Sequence, residues 1–124
     1  MEQIKLFDAE LRLMELVWEL SPITAKDLSL RAGQEIGWNK NTTYTVLKKL
    51  IAKQAVLREE PNFTCTPLVT RAQVGEAETR QLIDKLYDGS AKAFLTSFLQ
   101  KEQLSEDELA ELKKIIDKGF GGND

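Results

Sequence analysis

The sequence predicts a mainly α chain with one small β-hairpin. Three observations predict it. Apolar residues recur every three to four positions through most of the chain, the spacing of one helix face. Residues that cap helices (Asp8, Thr24, Asn39, Thr70, Ser90, Ser105) stand just before several of those runs. A single stretch, 55–66, has β-favouring residues on both sides of a turn signal.

The elements follow in order. Asp8 opens a helix to about Glu19, with Leu11, Met14, Val17 and Trp18 as its stripe. Ser21-Pro22 ends it, because the residue before proline disfavours helical backbone. Ile23 fits a very short strand. Thr24 caps a second helix from Ala25 to about Ala32, with Asp27 in the reciprocal position of a capping box and Gly33 closing it. Asn39 caps a third helix from Lys40 to about Gln54, and Trp38 is expected to staple its start or join the core. Thr43, Val46, Leu47, Leu50 and Ile51 form its apolar stripe; Asn41, Thr42, Tyr44, Thr45 and Lys48 face the other way.

Ala55–Arg58 reads as a strand, Glu59–Asn62 as a turn and Phe63–Thr66 as a second strand. Three helices and a hairpin in that order describe a winged helix-turn-helix head, expected over residues 1–69. Residues 70–124 read as a separate helical region. Thr70 and Gln73 box a helix from Arg71 to about Asp88, with Val74, Ala77, Ile83, Leu86 and Tyr87 as apolar positions and Gly89 as its stop. Ser90 caps a shorter helix carrying Phe94, Leu95, Phe98 and Leu99. Ser105 and Glu108 box a last helix with Leu109, Leu112, Ile115 and Ile116. Three short helices bury little alone, so this region is expected to pack against a second copy. Gly119, Gly121 and Gly122 are expected to stop the last helix and begin a loose tail.

Composition narrows the function classes. The chain of 124 residues has no histidine and one cysteine. The commonest general base and the commonest metal ligand are both missing, so catalysis, metal and other cofactors are not expected. The acids Glu106, Asp107 and Glu108 are explained as a helix N-terminus. Cys65 lies in a strand pattern and reads as a small buried hydrophobe, with a redox sensor the lesser alternative. Neither an apolar run of membrane-spanning length nor the continuous apolar core of a signal peptide stands out, and a cytoplasmic location is expected.

The net charge of −3 conceals an uneven distribution. From Ile36 to Arg58 there are five bases and no acid, whereas from Thr70 onward eight bases face eleven acids. A helix that reads the major groove needs small polar side chains outward and bases to hold phosphates. The third helix meets this. Asn41, Thr42, Tyr44 and Thr45 are candidates for base contacts, and Lys40, Lys48, Lys49 and Lys53 for phosphates. The plain alternative is an ordinary solvated helix face. Against it, Asn41, Thr42, Thr43 and Thr45 are poor helix formers crowded into the first turns.

Several segments carry a family resemblance. Ala9-Glu10-Leu11-x-Leu13-Met14-x-x-Val17-Trp18, then Trp38-x-x-x-Thr42-x-x-Thr45-Val46-Leu47-x-x-Leu50, then Thr66-Pro67-Leu68-Val69 follow one another. Leu86–Ser90 and Phe98-Leu99-x-x-x-x-Leu104-Ser105-x-x-Glu108-Leu109 complete the set. In order and spacing the chain resembles the penicillinase-repressor family (the BlaI/MecI/CopY group). The resemblance implies a homodimer whose winged heads bind adjacent half-sites of a palindromic double-stranded operator and block a promoter. It implies a dimer interface at Leu86, Tyr87, Phe94, Phe98, Leu99, Leu109, Leu112 and Ile116. In the antibiotic-responsive branch it further implies a membrane sensor protease that cuts the repressor, here at Ser97-Phe98. The chain departs from the family in four places. Ser97 replaces a frequent asparagine, the wing turn Glu59-Glu60-Pro61-Asn62 is acidic, Lys40 replaces a frequent proline, and no Cys-rich metal motif ends the chain. The alternative from the residues alone is a winged-helix protein-interaction module without sequence-specific DNA binding.

Overall fold

The computed structural model describes residues 4–121. Met1–Gln3, and the tail from Gly122 on, lie outside the described residues. Six helices and three strands follow one another: α1 Asp8–Leu20, β1 Ile23–Thr24, α2 Ala25–Glu35, α3 Lys40–Ala52, β2 Val56–Glu59, β3 Thr64–Pro67, α4 Arg71–Leu86, α5 Ala91–Lys101 and α6 Glu106–Gly121. The chain divides into two compact units, Met1–Leu82 and Ile83–Asp124.

In the first unit, α1, α2 and α3 pack their stripes together. Leu13, Met14, Val17, Leu28, Leu47, Leu50 and Val56 are fully buried there. Complete removal of such side chains from water stabilises the fold by about 1.5–3 kcal/mol each. Trp18 is half-buried against this core, and its indole N–H donates to the Val69 carbonyl at 2.8 Å. The small antiparallel sheet has the order β1-β3-β2. Ile23 pairs with Cys65 and Thr24 with Thr64, so the very short strand expected at Ile23 is present. Arg58 pairs with Cys65 across the hairpin.

Helix ends show where local rules were outvoted. Phe7, not Asp8, is the N-cap of α1: its backbone N–H donates to the Glu10 carboxylate at 2.8 Å, and Asp8 sits inside the first turn. Thr24 Oγ1 accepts the Asp27 N–H at 3.1 Å, as a cap should. Among the described residues the Asp27 carboxylate makes no return bond. Aspartate is one methylene shorter than the Gln73 and Glu108 side chains that do complete their boxes with Thr70 and Ser105.

Gly33 does not close α2, which runs on to Glu35. The break falls at Gly37, with φ +88°, whose N–H reaches back to the Ala32 carbonyl. Gly33 is instead a close approach, since a Cβ there would sit 3.4 Å from the Trp38 carbonyl oxygen. At its far end α3 stops at Ala52 and not Gln54, because Gln54 adopts a left-handed φ of 65° while the Ala55 N–H closes on the Leu50 carbonyl. The two hairpin strands each begin one residue later than expected. Phe63, with φ +53°, belongs to the turn, and its carbonyl accepts the Ala25 N–H at 2.9 Å.

The second unit is helical. The helix ending at Leu86 stops two residues before the expected Asp88, where Asp88 and Gly89 both take positive φ. Ser90 Oγ caps α5 by accepting the Ala93 N–H at 3.0 Å. Contrary to expectation, glycine does not stop α6 at position 119; the helix continues to Gly121. One glycine in a helix costs only about 1 kcal/mol, too little to end it alone. No residue of α5 is buried. Leu86, Leu95, Phe98, Leu99, Leu109, Leu112, Ile115 and Ile116 stand between 37% and 67% exposed. Within the unit, the Tyr87 ring packs edge-on to Phe94 at 5.4 Å, and Phe94 stacks on Phe98 at 5.9 Å.

Among the described residues no helix is long and apolar enough to cross a membrane. No group of three or more His, Cys, Asp or Glu side chains among them is placed to hold a metal.

Candidate nucleic-acid interface

The polar face of α3 is built from its first residue. Asn39 Oδ1 accepts the Thr42 N–H at 2.8 Å, fastening the first turn. Thr43 turns inward, fully buried, and its hydroxyl donates to the Asn39 carbonyl at 3.1 Å. Val46, Leu47 and Leu50 continue the buried side. That packing fixes the opposite side: Lys40, Asn41, Thr42, Thr45, Lys48 and Lys49 all emerge into solvent. Six of the eight sequence candidates thus share the exposed side of α3.

Tyr44 and Lys53 are placed differently. Tyr44 is half-buried, with its ring edge-on to Phe63 of the hairpin turn at 6.1 Å. The Lys40 ammonium lies 5.7 Å from the Tyr44 ring centre, and the Arg58 guanidinium sits 3.7 Å from that of Phe63. A ladder of two rings with a cation at each end therefore links α3 to the wing. Sequence reasoning missed it, although an aromatic at the turn and a base in β2 were visible. Arg58 also pairs with Glu60, so the base nearest the wing tip already has a carboxylate partner. Lys53 is half-buried and paired with Glu10 at 2.6 Å.

A shallow cavity of about 360 Å³ opens between α2 and the start of α3. Leu30, Trp38 and Tyr44 line it, with Lys26 and Lys40 contributing bases. Lys26, in the first turn of α2, is a further cation beside the candidate surface; a lone lysine in a mixed-charge stretch gave no sequence signal.

Cys65 is completely buried, and its Sγ donates weakly to the Phe63 carbonyl at 3.8 Å. Burial pushes its thiol from 9.0 up to about 11, with nearby Arg58 pulling the other way. A thiol held neutral and sealed from solvent suits packing and not redox sensing. In the second unit, Ser97 is half-buried and Phe98 half-exposed in the middle of α5. The bond between them is therefore helical.

Comparison with known proteins agrees with this architecture. A profile of the family described as Penicillinase repressor matches residues 6–118. The chain is 27% identical over 113 residues to the penicillinase repressor of Bacillus licheniformis, covering 90% of this chain and 88% of that one. It is 27% identical over 112 residues to the methicillin resistance regulatory protein MecI of Staphylococcus aureus (strain N315), covering 89% and 91%. Two solved structures resemble part of the chain. One is the solution structure of the DNA-binding domain of the repressor BlaI, with TM-score 0.53 and 28% identity, covering 59% of this chain and 93% of that one. The other is the Bacillus licheniformis BlaI monomeric form in complex with the blaP half-operator, with TM-score 0.50 and 27% identity, covering 58% and 90%. The chain belongs to the penicillinase repressor family, a family of transcriptional repressors and not of enzymes.

Proposed function

We propose that the chain is a sequence-specific DNA-binding repressor that acts as a homodimer on a palindromic operator. The observation that carries this is the solvent face of α3, where Asn41, Thr42 and Thr45 stand among Lys40, Lys48 and Lys49 with no acid nearby in sequence. A solved relative of similar fold binds a half-operator. In this reading the head comprises residues 1–69. Asn41, Thr42, Tyr44 and Thr45 meet base edges, and Lys40, Lys48 and Lys49 hold phosphates. Tyr44 takes part through the rim of a ring that also braces the wing. The acidic tip at Glu59 and Glu60 stays off the backbone.

Residues 70–124 join the two copies. The uncovered apolar side chains of α5 and α6 support this, since a free chain would leave them in water. Two recognition helices then sit about one helical turn apart on DNA. Cleavage at Ser97-Phe98 by a membrane sensor protease would part the copies and release the operator. The reading places the protein with its DNA in the cytoplasm.

The test is fluorescence-anisotropy titration of the duplex upstream of the chain's own gene against a scrambled duplex, at two salt concentrations. Salt-sensitive binding with roughly a hundredfold or greater preference for the upstream duplex is the expected result. Weak and equal binding to both would favour a docking module for another protein.

A further inference from the structure

Lys53 stands at the C-cap of α3, one of the lysines whose position suggests a phosphate contact. Its surroundings suggest otherwise. Its ammonium donates to the Glu10 carboxylate at 2.6 Å and to the Lys5 carbonyl at 2.7 Å, and it lies 4.5 Å from the centre of the Phe7 ring. Glu10 is only 3% exposed, and the same carboxylate oxygen accepts the Phe7 backbone N–H at 2.8 Å. Swinging Lys53 out to a phosphate would strand a desolvated carboxylate without its cation. That penalty exceeds what one exposed phosphate contact returns. Lys48 and Lys49, by contrast, are exposed and make no ion pair among the described residues.

The joint connects three pieces of chain: residues 4–7, the first turn of α1 and the end of α3. Asn39 fastens the other end of α3. A helix secured at both ends presents Asn41, Thr42 and Thr45 at one fixed angle, and small errors in such an angle weaken recognition disproportionately. We infer that Lys53 and Glu10 are a positioning pair for DNA binding, setting the pose of α3 without touching phosphate. This rests on the proposed DNA-binding function.

The experiment measures binding of the full chain to the upstream duplex across a salt series. The variants are Glu10→Gln, Lys53→Gln, the double variant Glu10→Gln/Lys53→Gln and, as control, Lys49→Gln. Circular dichroism checks that each is folded, and the double variant leaves no lone buried charge. Glu10→Gln and the double variant are expected to weaken binding by roughly tenfold. They should leave the slope of log affinity against log salt unchanged, and the double variant should lose less than the sum of the losses in Glu10→Gln and Lys53→Gln. The control should flatten that slope by about 0.9 for each bound copy, roughly 1.8 for the dimer, the signature of one lost phosphate contact per head. If Glu10→Gln instead tightens binding and steepens the slope, Lys53 was a phosphate contact held back by Glu10, and the inference is wrong. If Lys53→Gln flattens the slope as the control does, it is equally wrong. Wild-type protein without salt-dependent binding would overturn the DNA-binding function itself, and this inference with it.

Discussion

Residues with ordinary identities take unequal roles here, and burial decides which. Cys65 is a small side chain sealed between β1 and β2, on the central strand of the sheet. Because burial raises its thiol to about 11, the native state holds that proton more tightly than the unfolded chain does. The resulting stability is fully present below about pH 9 and is lost as pH rises through 11. Wild-type protein should lose about 2–3 kcal/mol more than Cys65→Ala across that interval. Denaturant titrations at several pH values would measure it, and parallel curves for the two proteins would refute it. On the polar face, Thr42→Ala should cost about 1–3 kcal/mol of operator binding and blur one base position. Unchanged discrimination among single-base operator variants would remove Thr42 from the reading set. The exposed residues of this set were legible in the sequence, because helical period alone puts them opposite the stripe. Glu10 was not. An acid in a first helical turn reads as a complement to the helix dipole, and its burial depends on Lys53, 43 positions away.

Elements were most legible where a side chain bonds its own neighbours. Asn39, Thr24, Thr70, Ser90 and Ser105 all cap the helices that their spacing predicts. Replacing Asn39 by alanine should destabilise the head by about 0.5–2 kcal/mol and weaken DNA binding further, since Asn41 and Thr42 ride on the turn it fastens. Urea unfolding reads the first effect; Asn39→Ser, which keeps an acceptor, should recover most of it. A loss of the same size in Asn39→Ser would show that something other than the cap is at work. Ends decided by backbone shape were read less well. Gly33 carried the expected stop signal, yet the left-handed position fell at Gly37, and at the end of α3 it fell on Gln54, which has no glycine's freedom. In both cases the next segment must turn toward the core, and tertiary packing chooses where. The hairpin was displaced by one residue for the same reason. Phe63 is drawn into the turn, where its carbonyl meets α2 and its ring meets Tyr44.

At the scale of the whole molecule, the two units differ in how well one chain satisfies them. The first has a closed core of fully buried side chains, whereas α5 buries none. Apolar residues left that exposed on two successive amphipathic helices support the proposed association of two copies. The protein is expected to sediment at twice the 14.0 kDa chain mass. Phe98→Glu should shift it to the single-chain mass and weaken binding to a full palindrome far more than to a half-site. A variant that remains a dimer would take Phe98 out of the interface. The helical period showed which side chains would be left over, but the second copy proposed to cover them is another molecule, and no pattern within one chain specifies it. The ladder of Lys40, Tyr44, Phe63 and Arg58 bears on how such a repressor could diverge. Asn41, Thr42 and Thr45 face solvent, so if they read the operator as proposed, mutation can try new sequences at those positions without disturbing the fold. Tyr44 has no such liberty, because any replacement must still offer Phe63 an aromatic edge. A lineage of these proteins would therefore drift in three of the four proposed reading positions while the fourth changes only together with the wing.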